Sequence, residues 1–288
     1  MNFIDISSWQ HGIDLPAVFA QNELHGVIVK ATEGTGYTNP DLKGWADWLV
    51  SNGKPLGLYH YLSGVNASSE AAWFVEASRP YLGKAVLCAD YEAEALAKGT
   101  RYLKDFLDAV LELTGVHPIV YCSLSVVQSQ DFSQIAPTYK LWVAQYASNG
   151  VVNGFQEHPW QQGSVSPFPC YIMHQYTGNG RLKGYGSPLD LDLYTGSYSS
   201  WMALAKGEDA PAVLKPADPE IVSRVLHGEF GTNSDTPSRS QRLREEGYDP
   251  SSVQDMINTL YGVALSCKKY IRGYDDYINS IVFITHNL

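Results

Sequence analysis

Cysteine is scarce in this chain. The four cysteines lie too far apart for a metal-type pair or a dense disulfide framework: Cys88, Cys122, Cys170 and Cys267. Cys88 and Cys122 stand within apolar runs, so we expect buried free thiols, as in a protein made in a reducing cytoplasm.

Basic residues are few as well, since 20 Lys and Arg face 30 Asp and Glu and give a net charge of −10. Phosphate binding needs clustered Lys and Arg, so we expect no nucleic-acid partner. No apolar run approaches the length of a membrane span, and the N-terminus lacks the basic and apolar regions of a signal peptide. We therefore expect no membrane span, and if the substrate is extracellular, another device must release the protein.

Aromatic residues are plentiful, with 19 Tyr and 7 Trp among 288 residues. Such rings often stack on sugars, although most rings in a globular protein belong to its core. The length suits one barrel-sized domain and a small module.

Residues 1–205 alternate short apolar runs with helical or loop segments, which is typical of a parallel α/β arrangement. Helical spacing predicts helices over Ser69–Ser78 and Thr100–Leu113. Residues 147–170 are rich in Gly and Pro and indicate an irregular loop. We predict the fold class α/β, an irregular TIM-like barrel followed by a small three-helix module. The candidate strands lie at about 2–6, 26–31, 56–61, 85–91, 118–122, 140–145, 171–175 and 189–193.

Two carboxylates, Asp90 and Glu92, stand at the polar end of the apolar run Ala85–Ala89. Residues two apart on a strand face one way with Cα atoms about 7 Å apart, which suits a pair of acids flanking a glycosidic bond. Catalytic barrels assemble their sites at the carboxyl ends of the strands, and the other strand ends carry chemistry too. The residues there are Asp5, Lys30, Glu33, Tyr59, His60, Tyr61, Tyr121, Trp142, Gln145, Tyr146, Gln175, Asp190 and Asp192. We expect these residues to line one site with the paired acids and to bind substrate there, with the rings either contacting sugar or filling the core.

These motifs resemble glycoside hydrolase family 25, the Chalaropsis-type lysozymes, over residues 2 to about 201. The matching stretches include Phe3–Gln10, Val29–Gly34, Gly57–Tyr61, Asp90–Glu92, Trp142–Tyr146, His174–Tyr176 and Leu189–Asp192. The resemblance implies N-acetylmuramidase activity on the β-1,4 bond between N-acetylmuramic acid and N-acetylglucosamine, with peptidoglycan as partner and neither cofactor nor metal. It also implies Glu92 as general acid, Asp90 as its partner, and Asp5 and Asp190 as the other acids. His174 and Asp192 depart from the family pattern, where Trp and Asn are common.

A general acid must keep its proton near neutral pH, and we expect repulsion from Asp5, Asp90 and Asp190 to raise the pKa of Glu92. Asp90 could attack the sugar, orient the substrate's own N-acetyl group or activate water, and the Cα spacing leaves these open.

Three other functions compete with this interpretation. A substrate-assisted chitinase usually carries further acids before its Asp-x-Glu, and Val86–Ala89 lacks them. A non-catalytic polysaccharide-binding barrel would have to keep four acids together without a task for them. A zinc amidase would need clustered ligands, but the eight histidines are scattered.

Residues 206–218 are polar with two prolines and indicate a linker. Residues 219–261 are similar to the Cpl-seven-type wall-binding repeat, and Asp218-Pro219, Thr236-Pro237 and Asp249-Pro250 predict three helix starts. The resemblance nominates His227, Phe230, Arg239, Arg242 and Tyr248 for wall contact. The amphipathic tail 262–288 either docks on the module or self-associates. The combination resembles a phage endolysin, made in the host cytoplasm and released at lysis to act on the wall.

Overall fold

The computed structural model describes residues 1–208, 216–232, 235, 238–248 and 250–267. The chain divides into two compact units, Met1–Ala210 and Pro211–Leu288. The division falls within the segment 206–218 that we interpret as a linker. None of the helices in the described residues combines the length and the apolar character that crossing a membrane requires.

The first unit holds all the strands of the described chain and six of its α-helices. The strands are β1 (Asn2–Ile6), β2 (Gly26–Glu33), β3 (Tyr37–Thr38), β4 (Leu56–Tyr61), β5 (Ala85–Asp90), β6 (Ile119–Ser123), β7 (Leu141–Ala144), β8 (Val152–Asn153), β9 (Tyr171–Arg181) and β10 (Leu189–Tyr194). The helices are α1 (Leu15–Gln21), α2 (Leu42–Ser51), α3 (Ala67–Ser78), α4 (Gly99–Thr114), α5 (Leu124–Ser129) and α6 (Tyr198–Lys206). The predicted helices in α3 and α4 are therefore confirmed.

Eight of the strands within residues 1–208 close into a barrel in the order β1, β10, β9, β7, β6, β5, β4, β2, and β2 pairs with β1. All eight predicted strands are present. The barrel is irregular, as predicted, because β10 runs antiparallel to both β1 and β9. Only Leu182–Pro188 connect β9 to β10, and a parallel return needs a dozen or more residues, so this connection has to form a hairpin.

Side chains alternate between the inside of the barrel and the layer of helices around it. Ile4 and Ile6 of β1 pack in the large core under the helices, together with Leu56 and Leu58 of β4. At the amino end of the strands, Trp201 of α6 donates a hydrogen bond to the Leu56 carbonyl and is fully buried. The opposite end, where the strands finish, is left for the site.

The predicted loop at 147–170 is irregular apart from β8, which confirms that interpretation. Cys88 and Cys122 are buried free thiols as expected. Cys170, which stands in no apolar run, is exposed at the end of this loop, directly before β9.

The second unit contains α7 (Pro219–Leu226), α8 (Arg239–Glu245) and α9 (Pro250–Cys267) in its described residues. Asp218 caps α7 by accepting from the Ile221 amide at 2.9 Å, as its Asp-Pro motif predicts. These helices enclose a small apolar core of their own: Ile221, Val222, Val225, Phe230, Leu243, Val253 and Ile257.

Two of the predicted boundaries in this unit change. The middle helix begins at Arg239, and the capping pair Thr236-Pro237 lies outside the described residues, as does Asp249. The last helix continues to Cys267, six residues into the segment that we assigned to the tail. Residues 268–288, with their predicted docking or self-association, lie outside the described part of the chain.

Candidate active site

The four acids that the sequence nominates for catalysis line one cleft at the carboxyl ends of the strands. The cleft has a volume of about 380 Å³, which is within the ordinary range for a small-molecule site. Its lining consists of Asp5, Ile6, Ser7, Trp9, Gln10, Lys30, Tyr59, Tyr61, Asp90, Glu92, Tyr121, Trp142, Tyr146, Gln175 and Asp190. Aromatic rings and carboxylates therefore line the same cleft.

Strand β5 delivers the acidic pair. Asp90 is its last residue and is buried, whereas Glu92 follows it and is half-buried at the cleft. The next residue, Ala93, has φ 43°, a left-handed conformation that residues other than glycine rarely adopt. The strained turn directs the chain away immediately after Glu92, and strain of this kind is concentrated at functional sites.

Strands β1 and β10 deliver the second acidic pair. Asp5 and Asp190 stand opposite each other in the antiparallel register, where directly opposed side chains are close neighbours. Asp5 accepts a hydrogen bond from Gln175 Nε2 at 2.7 Å. Two tyrosine hydroxyls, those of Tyr121 and Tyr146, donate to Gln175 Oε1 at 2.8 and 2.6 Å and fix the amide in that orientation.

Burial raises the pKa of all four carboxyl groups. Asp5 and Asp90 lie deepest, and desolvation raises the pKa of each well above its usual value, with like charges adding to the effect. Burial and then the charge of Glu92 raise the pKa of Asp190 to about 6. Burial also raises the pKa of Glu92. The expected cause for Glu92 was repulsion from its three neighbours, so desolvation replaces it as the main cause.

Lys30 brings a positive charge to this acidic cleft. Its charge lowers the pKa of both Asp90 and Glu92 against the effect of burial. The ammonium lies 2.6 Å from Glu33 Oε2 and 4.6 Å from the centre of the Tyr61 ring. A register shift between Lys30 and Thr32 reverses the alternation of β2, and this bulge lets side chains three residues apart meet.

Asp192 was predicted to bind substrate, but it lies beneath the cleft. It is fully buried and accepts a hydrogen bond from Trp142 Nε1 at 2.9 Å. Trp142 itself lines the cleft while being almost entirely buried. The tryptophan thus spans from the cleft to the layer below.

Two other substrate-binding predictions are wrong, and strand alternation explains both. His60 points outward from β4, between Tyr59 and Tyr61, and contacts Glu70 and Thr32 under the helices. Gln145 follows β7 and exchanges two hydrogen bonds with the backbone of Gln162, so it holds the irregular loop. Three consecutive strand residues cannot all face one cleft.

Three further residues line the cleft that were not predicted, and they lie on the segment after β1: Ser7, Trp9 and Gln10. The indole of Trp9 is 90% exposed, although tryptophan is usually highly buried. The rule that barrel sites form at the carboxyl ends of strands could have identified them too, because they directly follow the first strand.

The nominated wall-contact residues divide into exposed and structural ones. Phe230 is core, and Arg239 is buried and donates to the Gly231 carbonyl at 2.7 Å, so we reassign both to internal packing. The Tyr248 hydroxyl donates to Asp218 Oδ2 at 3.0 Å and connects the segment after α8 to the residue that caps α7. His227 is exposed and Arg242 is partly exposed.

A closed barrel that gathers paired acids and aromatic rings at the carboxyl ends of its strands defines a glycoside hydrolase. The family model named "Glycosyl hydrolases family 25" matches residues 4–185. The chain belongs to this family.

The relatives agree with the assignment. A lysozyme of Streptococcus phage Cp-7 is 25% identical over 274 residues, which cover 90% of this chain and 69% of the phage protein. The catalytic domain of endolysin ply40, from bacteriophage P40 of Listeria monocytogenes, is 25% identical with a TM-score of 0.57, covering 72% of this chain and 98% of that domain. A bacterial lysozyme from Streptomyces coelicolor has the same fold, with a TM-score of 0.59 at 22% identity over 72% of this chain and 97% of its own.

Proposed function

We propose that this protein is an N-acetylmuramidase that hydrolyses the β-1,4 bond between N-acetylmuramic acid and N-acetylglucosamine in peptidoglycan. The observation that carries the proposal is the convergence of Asp5, Asp90, Glu92 and Asp190 in one cleft of a family 25 barrel. Support comes from the relatives, among which a phage protein and a bacterial protein are named lysozymes.

Glu92 is the general acid. It is more exposed than Asp90, its partner at the end of β5, so it can reach the oxygen of the bond that breaks. Burial raises its pKa and favours the protonated form that an acid catalyst needs, while the nearby Lys30 charge limits the rise. Positioned proton transfer of this kind contributes about 10²- to 10⁴-fold in rate.

The other acids stabilise positive charge on the sugar. An oxocarbenium-like transition state carries positive charge at the sugar carbon, and carboxylates fixed around it lower its energy without reorganising. Asp5 is held by Gln175, and Asp190 faces it across the strand pair. Asp90, at the end of β5, acts on the same centre.

Aromatic side chains hold the glycan strand. Tyr59, Tyr61 and Tyr121 line the cleft, and the exposed Trp9 stands at its lip. Such rings offer an apolar face to a sugar while the hydroxyl or indole N–H reaches a polar partner. Trp9 extends the binding surface beyond the deep part of the cleft.

We also propose an endolysin role and a wall-binding module for the chain, and these two proposals rest on observations outside the cleft. The alignment with the Cp-7 phage lysozyme covers 90% of this chain, more than residues 1–205 can supply. The second unit has its own apolar core, and its exposed His227 and partly exposed Arg242 are available for contact with wall polymers. The proposed organisation is a muramidase barrel at 1–205, a linker at 206–218, a module at 219–261 and a tail at 262–288.

Digestion of purified peptidoglycan followed by mass analysis tests the activity. Muramidase cleavage leaves N-acetylmuramic acid at the new reducing ends, whereas products with N-acetylglucosamine there, or a released stem peptide, would contradict the proposal. The Glu92→Gln chain should lose at least about 10²-fold in rate. The matched control is Glu112→Gln, an exposed position on α4, which should stay near wild type.

Sedimentation with purified walls tests the module in the same material. The inactive Glu92→Gln chain should sediment, and a chain ending at residue 208 should remain largely in the supernatant. Equal sedimentation of the two would remove the binding role from the second unit and leave the muramidase assignment intact.

A further inference from the structure

We propose that Asp192 is a neutral carboxylic acid that donates a hydrogen bond to the Asp5 carboxylate from beneath the cleft. It is a positioning residue for Asp5 and does not contact the substrate. Its effect on catalysis rests on the proposed muramidase function, whereas its protonation state does not.

The position of Asp192 calls for a proton. Its side chain has no exposed surface, and Oδ1 accepts the Trp142 indole N–H. The second oxygen, Oδ2, is buried and has no hydrogen-bond donor among the described residues. An orphaned buried carboxylate oxygen is costly, because it has lost water and gained no partner.

Asp5 supplies the missing partner if the oxygen carries a proton. In the β1–β10 register Asp5 lies opposite Asp190 and Phe3 lies opposite Asp192, so Asp5 and Asp192 are diagonal neighbours on one face of adjacent strands. Each of the two carboxyl groups influences the pKa of the other through a side-chain hydrogen bond. Two ionised carboxylates cannot form such a bond, because each only accepts. A proton on Asp192 turns its orphaned acceptor into a donor.

The geometry favours Asp192 as the group that holds this proton, because Asp192 has no exposed surface, whereas Asp5 lines the cleft and accepts a hydrogen bond from Gln175. Burial, followed by the charges of Asp5 and Asp190, raises the pKa of Asp192 well above its usual value. The other titratable groups that it influences are Cys88, Tyr146 and Tyr176. All of these are acids, so none of them offers Asp192 a countercharge.

Burial and the charge of Asp190 raise the pKa of Asp5 as well, but Asp5 has stabilising surroundings that Asp192 lacks. It receives a hydrogen bond from Gln175 and lines the cleft, and contact with Asp192 favours its ionised form. Donors from Gln175 and Asp192 thus hold the Asp5 carboxylate ionised and oriented. An asparagine at 192 could make both bonds, since its oxygen accepts from Trp142 and its amide donates to Asp5.

Infrared spectroscopy tests the protonation state directly. The wild-type spectrum minus that of folded Asp192→Asn at pH 7 should contain the C=O stretch of a protonated carboxylic acid. A difference spectrum with carboxylate bands in its place would overturn the proposal. This measurement needs no activity, so it stands even where the muramidase assignment fails.

Kinetics test the positioning role. Asp192→Asn should keep kcat within about threefold of wild type, because the amide restores both hydrogen bonds. Asp192→Leu should lower kcat by about 10²-fold with little change in KM. Its acid limb should also move to higher pH, because Asp5 loses the bond that favours ionisation.

Two kinetic outcomes would count against the role of Asp192. One is an Asn variant as impaired as the Leu variant, and the other is a Leu variant whose acid limb does not move. Where the Leu variant fails to fold, the Asn variant and the infrared measurement still decide the matter.

Discussion

Replacing Asp190 with asparagine should make the barrel more stable at neutral pH while weakening catalysis. Asp190 is largely buried, and burial together with the charge of Glu92 raises its pKa to about 6. Ionising this group therefore requires more free energy in the folded protein than in the unfolded chain. The amide has a similar shape and no charge to desolvate.

The magnitude follows from the difference between the two pKa values. The usual value is 3.8 and the folded value is about 6, and each pH unit corresponds to about 1.4 kcal/mol. The ionised side chain thus costs about 3 kcal/mol above pH 6, and the cost disappears below about pH 4, where the carboxyl is neutral in both states. Asp190→Asn should gain up to that amount at pH 7.5 and almost nothing at pH 4.

Urea denaturation followed by tryptophan fluorescence is the suitable assay. All seven tryptophans lie between residues 9 and 201, so the signal reports on the barrel unit alone within the full-length chain. Each kcal/mol should also raise the melting temperature by about 2–4 °C for a domain of this size.

The pH dependence separates this mechanism from a general effect of charge removal. Glu112→Gln removes one negative charge from the exposed face of α4 and should show no comparable dependence. A stability gain for Asp190→Asn that is the same at pH 4 and pH 7.5, or a loss at pH 7.5, would refute the reasoning. Lytic activity should fall at the same time, which is the usual exchange of stability for function.

Two further changes test groups around the cleft. Lys30→Met should raise the pKa of Glu92, because the positive charge that opposes burial is gone; the alkaline limb of the pH–rate profile should move upward, with the exposed Lys43→Met as control. Glu70→Gln should cost about 2–3 kcal/mol at pH 7 in urea denaturation, because burial of Glu70 is outweighed by hydrogen bonds, His60 first, that lower its pKa to about 2. That loss should shrink as the pH falls from 4.5 towards 2, and a pH-independent loss would mean that Glu70 acts only through packing.

The catalytic acids were predictable because strand ends are easy to recognise. Asp5 and Asp90 each finish an apolar run, and parallel strands bring such ends together at one edge. Closure of the barrel follows from eight runs of similar length. The direction of β10 was not predictable in this way, because the predicted strands at 171–175 and 189–193 leave 13 residues between them. Only the extension of β9 to Arg181 shortens the connection to Leu182–Pro188.

The wrong substrate-binding predictions concern residues that stand at a strand end but whose side chains point away from the cleft. His60 lies between Tyr59 and Tyr61, which both line the cleft, so it had to face the helices. The Lys30–Glu33 contact is different, because a bulge reverses the alternation there and no pattern in the sequence marks it. Phe230 and Arg239 were nominated from a motif, and a motif does not distinguish a residue that binds a ligand from one that builds the module.

Depth in the barrel determines what an aspartate does, as the pair on β10 illustrates. Asp190 and Asp192 are two residues apart and face the same way, yet one lines the cleft and the other lies a layer below with no exposed surface. The upper carboxyl retains some contact with solvent, and its pKa of about 6 keeps it ionised at neutral pH. The lower one has no contact with water and lies beside Asp5, so its protonated form is the more stable one. Residue type and spacing leave the two interchangeable in the sequence, and only the layered packing separates a charged cleft acid from a neutral donor that supports it.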